Sequence, residues 1–259
     1  MDYRTLGQTD IQVTPIIFGA WAIGGWMWGP QDHDDAIAAI HASLDAGINA
    51  IDTAAVYGFG RSEELIAESL KDRKREDVVI LTKYGLRWDH GDKGVVRFLD
   101  TKDNEGNVIS VYKYAHPDSV IEECERSLRR LNTDYIDVYQ IHWPDDTTPL
   151  EDTFGAIEKL IKQGKIRAAG VCNYSVDQMA RAHKVVPLAT SQPPYSMVLR
   201  DAEEDVIPWC AENNVSTIVY SPLQRGLLTG KIKPDHEFSE DDHRANNAFF
   251  QPGNIQAVN

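Results

Sequence analysis

The stretch Ile48-Asn49-Ala50-Ile51-Asp52-Thr53-Ala54-Ala55-Val56-Tyr57-Gly58 decides how the rest of this chain is read. An Ile-rich apolar run ends at an acid, Asp52, and five residues later Tyr57 stands beside a glycine. That is the pattern of a strand emptying into a short loop. A carboxylate at the tip of a buried strand needs a cation, because an unpaired charge out of water is costly or takes up a proton instead. The next apolar run, Val78-Val79-Ile80-Leu81-Thr82-Lys83, ends in one, and Tyr135-Ile136-Asp137-Val138-Tyr139-Gln140-Ile141-His142 ends in a histidine. Three successive strands tipped by Asp, Lys and His, with Tyr just past the first, would meet at one rim of a parallel sheet.

Outward from this stretch, strands and helices alternate. Residues 2–15 read as a hairpin turning at Gly7-Gln8-Thr9-Asp10, suited to cover one end of a barrel. A first core strand over 16–21 leads to a glycine-rich loop holding Trp26, Met27 and Trp28, which reads as packing at the rim. Helical periodicity follows over 32–47, 62–70, 117–131, 150–163, 176–184 and 201–213, with further strands at 166–171, 189–192 and 215–220. Seven buried-looking strands alternating with helices point to a parallel α/β sheet. Polar residues at nearly every strand tip (Asp52, Lys83, His142, Asn173, Gln192, Tyr220) favour a (β/α)8 TIM barrel, where tips converge, over an open doubly wound sheet. No eighth strand and helix can be read after Tyr220. The expectation is a single barrel domain over 1–259 with its eighth β/α unit missing from this sequence, a long substrate-side loop at 86–116 and a polar tail at 234–259.

Bulk properties narrow the function. The 259 residues, 42% of them hydrophobic, can bury a large core. A net charge of −14 and a pI near 4.9 oppose binding to nucleic acid or an anionic membrane. The three cysteines (Cys124, Cys172, Cys210) form no CxxC pair and are odd in number, so free thiols in a reducing compartment are expected. With no apolar run near the ~20 residues of a membrane span and no signal-like N-terminus, the reading is a soluble cytoplasmic protein, monomeric or weakly oligomeric. The acid pairs Asp145-Asp146 and Glu63-Glu64 are poor glycosidase candidates, since chain neighbours rarely face each other across a sugar. Asp89-His90-Gly91-Asp92, Asp235-His236 and Asp241-Asp242-His243 lack zinc-site spacing and read as solvated loop charge, so no metal is expected.

Taken in order, Gly19-Ala20-Trp21, the 51–58 stretch, Leu81-Thr82-Lys83, Asp137 to His142, Gly164 to Asn173, Gln192-Pro193-Pro194-Tyr195, Tyr220-Ser221-Pro222-Leu223 and Arg225 to Lys231 resemble the aldo-keto reductase family. The likeness is greatest to its bacterial branch of general stress proteins and glycerol or polyol dehydrogenases. The resemblance implies a barrel that binds an extended nicotinamide dinucleotide, NADPH before NADH, without a Rossmann motif. Gly58-Phe59-Gly60 does not continue as GxGxxG. It also implies that Tyr57 is the proton donor, with Asp52, Lys83 and His142 completing a tetrad. Gly19, Ala20, Trp21 and Asp52 would lie beside cofactor and pocket, and Asn173 and Gln192 would hold the carboxamide. Tyr220 would stack on the nicotinamide, while Ser221, Pro222, Leu223, Arg225, Gly226 and Lys231 would wrap the pyrophosphate. Two departures stand out: Cys172 occupies a position where many relatives have Ser, and the family's basic segment for the adenosine 2′-phosphate is not in this sequence.

The chemistry agrees on its own terms. Carbonyl reduction needs hydride at carbon and a proton at oxygen, and a free Tyr with pKa near ~10 is a sluggish acid at neutral pH. Lys83, held by Asp52, is expected to lower that pKa, and His142 to donate to the carbonyl oxygen. Singly, Tyr57 is a loop aromatic, Asp52 with Lys83 a structural ion pair and His142 a core histidine. Only their conjunction supports an NAD(P)H-dependent oxidoreductase acting on small carbonyls, sugars or polyols. The alternative is a cofactor-binding regulatory subunit similar to the β subunits of potassium channels.

Overall fold

Two short strands open the chain in the computed structural model, which describes residues 2–91, 95–239 and 242–258. β1 (Arg4–Thr5) pairs antiparallel with β2 (Gln12–Val13) around the Gly7 turn. β3 (Phe18–Gly19), α1 (His33–Asp45), β4 (Ala50–Asp52), α2 (Arg61–Ser69) and β5 (Val79–Tyr84) then alternate. Asp32 starts α1 by accepting hydrogen bonds from the Asp34 and Asp35 amides, groups with no partner inside the helix.

The expected loop over 86–116 is instead a small antiparallel sheet. β6 (Leu86–Arg87), β7 (Val96–Lys102) and β8 (Val108–Lys113) lie in the order β6-β8-β7. The hairpin turns where the Asp103 carboxylate accepts from the Glu105 and Asn107 amides, a local alternative to continued pairing. Charged and polar side chains on β7 hid this strand, for both its faces stand largely in solvent.

The alternation resumes with α3 (Pro117–Leu131), β9 (Ile136–Ile141), α4 (Leu150–Lys162), β10 (Ile166–Cys172), α5 (Val176–Val185), β11 (Leu188–Gln192), α6 (Val206–Glu212) and β12 (Ser216–Thr217). β3, β4, β5, β9, β10, β11 and β12 form one seven-stranded parallel sheet in chain order. The sheet is strongly curled. β4 and β11 are four strand spacings apart, roughly 19 Å if flat, yet Gln192 Nε2 on β11 donates to Asp52 Oδ1 on β4 over 3.0 Å. Helices cover the outside: Ile40, Ile66, Leu131, Phe154 and Leu160 pack with Ile80, Ile136, Ile141, Ile166 and Val171.

The β1–β2 hairpin plugs the end where the strands begin. Leu6, Ile11 and Val13 pack with Ala50, Val79, Leu81, Val138, Ala168 and Ala189. The fit is close enough that a Cβ on Gly7 (φ +52°) would lie 2.8 Å from the Ala189 backbone. The Gly7 amide donates to Ser216 Oγ at 2.9 Å.

The last strand is shorter than the 215–220 reading, with Tyr220 adding only an isolated bridge to Pro194. β3 and β12 end the sheet, and among the described residues no eighth strand lies between them. The tail is more structured than its polar composition suggests. Leu227, Ile232, Phe250 and Ile255 form a cluster of their own, the last of these on α7 (Pro252–Val258). Asp92 and Asp241 lie outside the described residues. No helix among those described is long and apolar enough to cross a membrane.

Candidate active site

Register sets the first part of the site. Asp52 pairs with Leu81 across β4 and β5, and Lys83, two residues on and therefore on the same face, pairs with Gln140 of β9. The Lys83 ammonium, fully buried, donates to Asp52 Oδ2 at 2.7 Å, to the Thr53 carbonyl at 2.8 Å and to Tyr57 Oη at 3.5 Å. Asp52 Oδ1 also accepts from Gln140 Nε2 at 3.2 Å and from Gln192 Nε2 at 3.0 Å. Gln140 is in turn fixed by Thr190 Oγ1 at 3.0 Å. These side chains meet because Gly170 lies between them: a Cβ there would sit 2.2 Å from Thr190 Oγ1 and 2.7 Å from Gln140 Cγ.

Tyr57 is held by loops rather than by the sheet. Its amide closes a turn on the Ala54 carbonyl, and Gly58 (φ +63°) presses on Gly24 so closely that a Cβ would lie 2.2 Å from the Gly24 oxygen. Asn104, in the β7–β8 turn, donates its Nδ2 to the carbonyls of both Gly24 and Gly58, at 3.2 and 3.3 Å. The small antiparallel sheet thus stitches together the two loops that frame the phenol. The Trp21 ring stacks on Tyr57 at 6.0 Å, and His142, whose amide donates to the Tyr84 carbonyl, presents its ring edge-on at 5.7 Å.

The electrostatics depart from the sequence expectation in one respect. Burial pushes the Tyr57 phenol up to about 12, outweighing the pull of Lys83. Lys83 does lower this pKa, by its charge and its hydrogen bond as expected, but that pull is smaller than the cost of the lost solvation. Burial alone would lower Lys83, yet the Asp52 carboxylate more than offsets this and holds it above the ordinary lysine value as an ammonium. His142 falls well below its usual value because it is buried and faces the Lys83 charge, so its ring is neutral.

Among the residues expected beside the cofactor, Gly19 pairs with Asp52 in the β3–β4 register and the Ala20 amide donates to the Asp52 carbonyl at 2.8 Å. Asn173 and Gln192 are engaged within the protein. Asn173 Nδ2 donates to the His142 carbonyl at 3.0 Å and its Oδ1 accepts from Tyr220 Oη at 2.9 Å, while Gln192 takes up Asp52. Cys172, beside them, is buried and its thiol is raised to about 12 by that burial. On either side of Pro222, residues Ser221, Gln224, Arg225 and Gly226 adopt positive φ, turning their amides away from helical register. Leu223 is exposed, Lys231 lies in solvent, and Arg225 Nε is buried without a partner. An unpartnered guanidinium donor in an irregular turn fits a diphosphate, which only accepts hydrogen bonds.

Three of the other acidic motifs serve structure. Asp145 accepts from the Ala115 amide and from Thr147 and Thr148; Glu63 accepts from Thr82 and Arg130; Asp89 pairs with Arg87 and Arg126. Among the described residues, no three His, Cys, Asp or Glu side chains gather in a metal-binding arrangement. Sequence reasoning missed Gln140, Asn104 and His243. Only Gln140 left a signal, as the one amide in a strand whose other polar residue, Asp137, stands near its start.

Comparison with known proteins agrees with this geometry. A sequence model described as the Aldo/keto reductase family matches residues 15–259. The chain is 42% identical over 252 residues to the Aldo-keto reductase YhdN of Bacillus subtilis, a match covering 97% of this chain and 71% of that protein. It is 39% identical over 258 residues to the NADH-specific methylglyoxal reductase of Escherichia coli, covering 98% and 76%. Its backbone superposes on the glycerol dehydrogenase AKR11B4 from Gluconobacter oxydans with a TM-score of 0.85 at 42% identity, over 99% of this chain and 74% of that one. For the holo form of the aldo-keto reductase AKR11C1 from Bacillus halodurans the TM-score is 0.75 at 29% identity, over 93% and 71%. Matched along nearly its whole length in sequence and in backbone, the chain belongs to the Aldo/keto reductase family and is an NAD(P)H-dependent enzyme that interconverts carbonyls and alcohols.

Proposed function

We propose that Tyr57 is the acid of this oxidoreductase and that Lys83, Asp52 and His142 set its behaviour. The observation that carries the reading is the position of Lys83 Nζ, within hydrogen-bond distance of both the Asp52 carboxylate and the Tyr57 hydroxyl. When bound, the reduced nicotinamide supplies the hydride. Tyr57 gives its proton to the carbonyl oxygen, and the Lys83 ammonium stabilises the phenolate left behind. Asp52, fixed by Gln140 and Gln192, keeps that ammonium in place. The neutral His142 donates an N–H to the same oxygen without losing a proton itself. A phenol pushed to about 12 stays protonated through the neutral range, so the form competent for reduction is the resting one.

The substrates in this reading are small aldehydes and ketones, sugars or polyols, handled by a monomer or weak oligomer. The −14 charge, which sets copies against one another, supports that state. Three free, buried cysteines support a cytoplasmic setting. NADPH is the proposed cofactor, with Arg225 and Lys231 offering cations beside the pyrophosphate turn. Since one relative is named NADH-specific, the ratio of kcat/KM with the two cofactors decides the point, and an equal or higher value with NADH rejects it. The acid assignment is tested by following NADPH oxidation with small aldehydes. Tyr57→Phe is expected to lose about 10²- to 10⁴-fold in kcat, and a rate equal to wild type rejects the assignment.

A further inference from the structure

We propose that Gln140 and Thr190 form a clamp on Asp52 that positions the Lys83 ammonium beside Tyr57 and leaves Gln192 free to turn to the nicotinamide. The inference rests on the reading of Tyr57 as the acid. Both members of the clamp are positioning residues, acting through Asp52 and Lys83.

The clamp occupies one level of the sheet. Lys83 pairs with Gln140, Gln140 with Gly170, and Gly170 with Thr190. Two residues earlier on the same face, Leu81, Val138 and Ala168 belong to the apolar plug. Gln140 is thus a fully buried amide standing on hydrocarbon, a position that is costly unless both its ends are bonded. Two irregularities of the backbone make those bonds possible. Successive residues of a regular strand face opposite sides, yet Ala189 packs in the plug and Thr190 reaches Gln140, where the register between β10 and β11 shifts. The Thr190–Gln140 contact also runs through the space that a side chain on Gly170 would fill, a Cβ there lying 2.2 Å from Thr190 Oγ1 and 3.1 Å from Gln140 Oε1.

Hydrogen-bond chemistry fixes the direction of the amide. Asp52 Oδ1, 3.2 Å away, only accepts, so Gln140 Nε2 faces it; Oε1 then faces Thr190, whose hydroxyl donates over 3.0 Å. A second amide, Gln192 Nε2, reaches the same carboxylate oxygen at 3.0 Å. The two differ at their far ends. Gln140 Oε1 is anchored on a hydroxyl, whereas among the described residues Gln192 Oε1 meets only the Cys172 thiol, a weak donor 3.7 Å away. Gln192 therefore loses little by swinging away, and it is the amide that the family resemblance expects on the nicotinamide carboxamide. Gln140 is tied at both ends. With Gln192 turned, Gln140 still holds Asp52 Oδ1, and Oδ2 stays aimed at Lys83 Nζ, 2.7 Å away in this structure.

The test compares wild type with Gln140→Leu, Thr190→Val, Thr190→Ser, Gln192→Leu and the Gln140→Leu/Thr190→Val double variant. It reads kcat for propanal and glyceraldehyde, and cofactor affinity from the quenching of tryptophan fluorescence by NADPH and NADH. Gln140→Leu is expected to lose about tenfold in kcat, with cofactor affinity within about twofold of wild type. Gln192→Leu, which removes an amide from the same oxygen, is expected to lose about tenfold in cofactor affinity. Thr190→Val should lower kcat, Thr190→Ser should restore it, and the double variant should be no slower than Gln140→Leu, because Thr190 acts only through that amide. An unchanged kcat in Gln140→Leu, wild-type affinity in Gln192→Leu, or a double variant whose losses multiply overturns the clamp. If near-ultraviolet circular dichroism shows that Gln140→Leu has lost its fold, the Thr190 pair decides: a loss in Thr190→Val restored in Thr190→Ser upholds the clamp, and equal rates overturn it. Should wild type reduce neither aldehyde, or Tyr57→Phe match it, the acid reading is what fails. The clamp is then judged on cofactor affinity, upheld by a loss confined to Gln192→Leu and overturned by any other pattern.

Discussion

The two ends of the barrel solve opposite problems. Where the strands begin, Asp137 is almost fully buried and accepts from Arg75 at 2.8 Å, Arg167 at 2.6 Å and the Ile80 amide at 2.9 Å, while the hairpin seals the interior with Leu6, Ile11 and Val13. Where the strands finish, Trp21, Trp28, Arg225 and His243 keep polar atoms without partners, and burial holds Tyr57 and His142 uncharged. Both ends contain a buried carboxylate with a cation, so the ion pair alone does not mark the site. The difference lies in what surrounds it. Polar groups at the base are consumed by one another, whereas at the mouth a network of paired groups lies beside four buried polar atoms with no partner in the protein.

That contrast can be broken by mutation. Asp137→Ala leaves Arg75 and Arg167 facing a vanished partner and is expected to cost about 3 kcal/mol of stability, seen as a lower urea midpoint. The kcat of the folded fraction should hold at the wild-type value, and a large fall in kcat with unchanged stability would show that the ends are not separate. Glu123, on α3, tests the region between them. Burial raises its carboxyl to about 7, although Ser119 and the Gly85 amide donate to it. The folded pKa lies above the unfolded one, so its stabilising contribution is complete below about pH 4.5 and is lost as pH rises through 7. Glu123→Gln should therefore flatten the decline of Tm between about pH 5 and 8, by an amount equivalent to about 2 kcal/mol. An unaltered profile would place the titration elsewhere. The smallest expected effect comes from Asn104→Ala, which frees the Tyr57 loop from the hairpin. A fall of about tenfold in kcat is expected, with the KM for cofactor little changed. An equal rise in KM would mean that the hairpin shapes cofactor binding instead.

The strand tips were legible because each acid, base or amide closes an apolar run, as Asp52 does after Ile51 and Lys83 after Leu81 and Thr82. The seven-stranded order followed from the same alternation. The β6–β8 sheet was not legible, since Arg97, Asp100 and Lys102 break the alternation of β7 and leave no buried face to read. Tyr57 shows a second limit: the sequence reveals the cation beside it but not the depth of burial that outweighs that cation. His243 shows a third, for it reaches Trp21 and Trp28 through a tail with no periodicity, held there by its amide and its ring Nδ1 on the Met27 carbonyl.

The amide of Gly7 finds its acceptor on Ser216, 209 residues further along the chain, and the Ser216 hydroxyl reaches back to the Thr5 carbonyl. A polypeptide leaving the ribosome therefore carries its first fifteen residues, Leu6 and Ile11 among them, with no finished seat until β12 has been synthesised. Closure of the base therefore depends on β12, and protection of the Gly7 amide from solvent exchange is expected to report that this strand is in place.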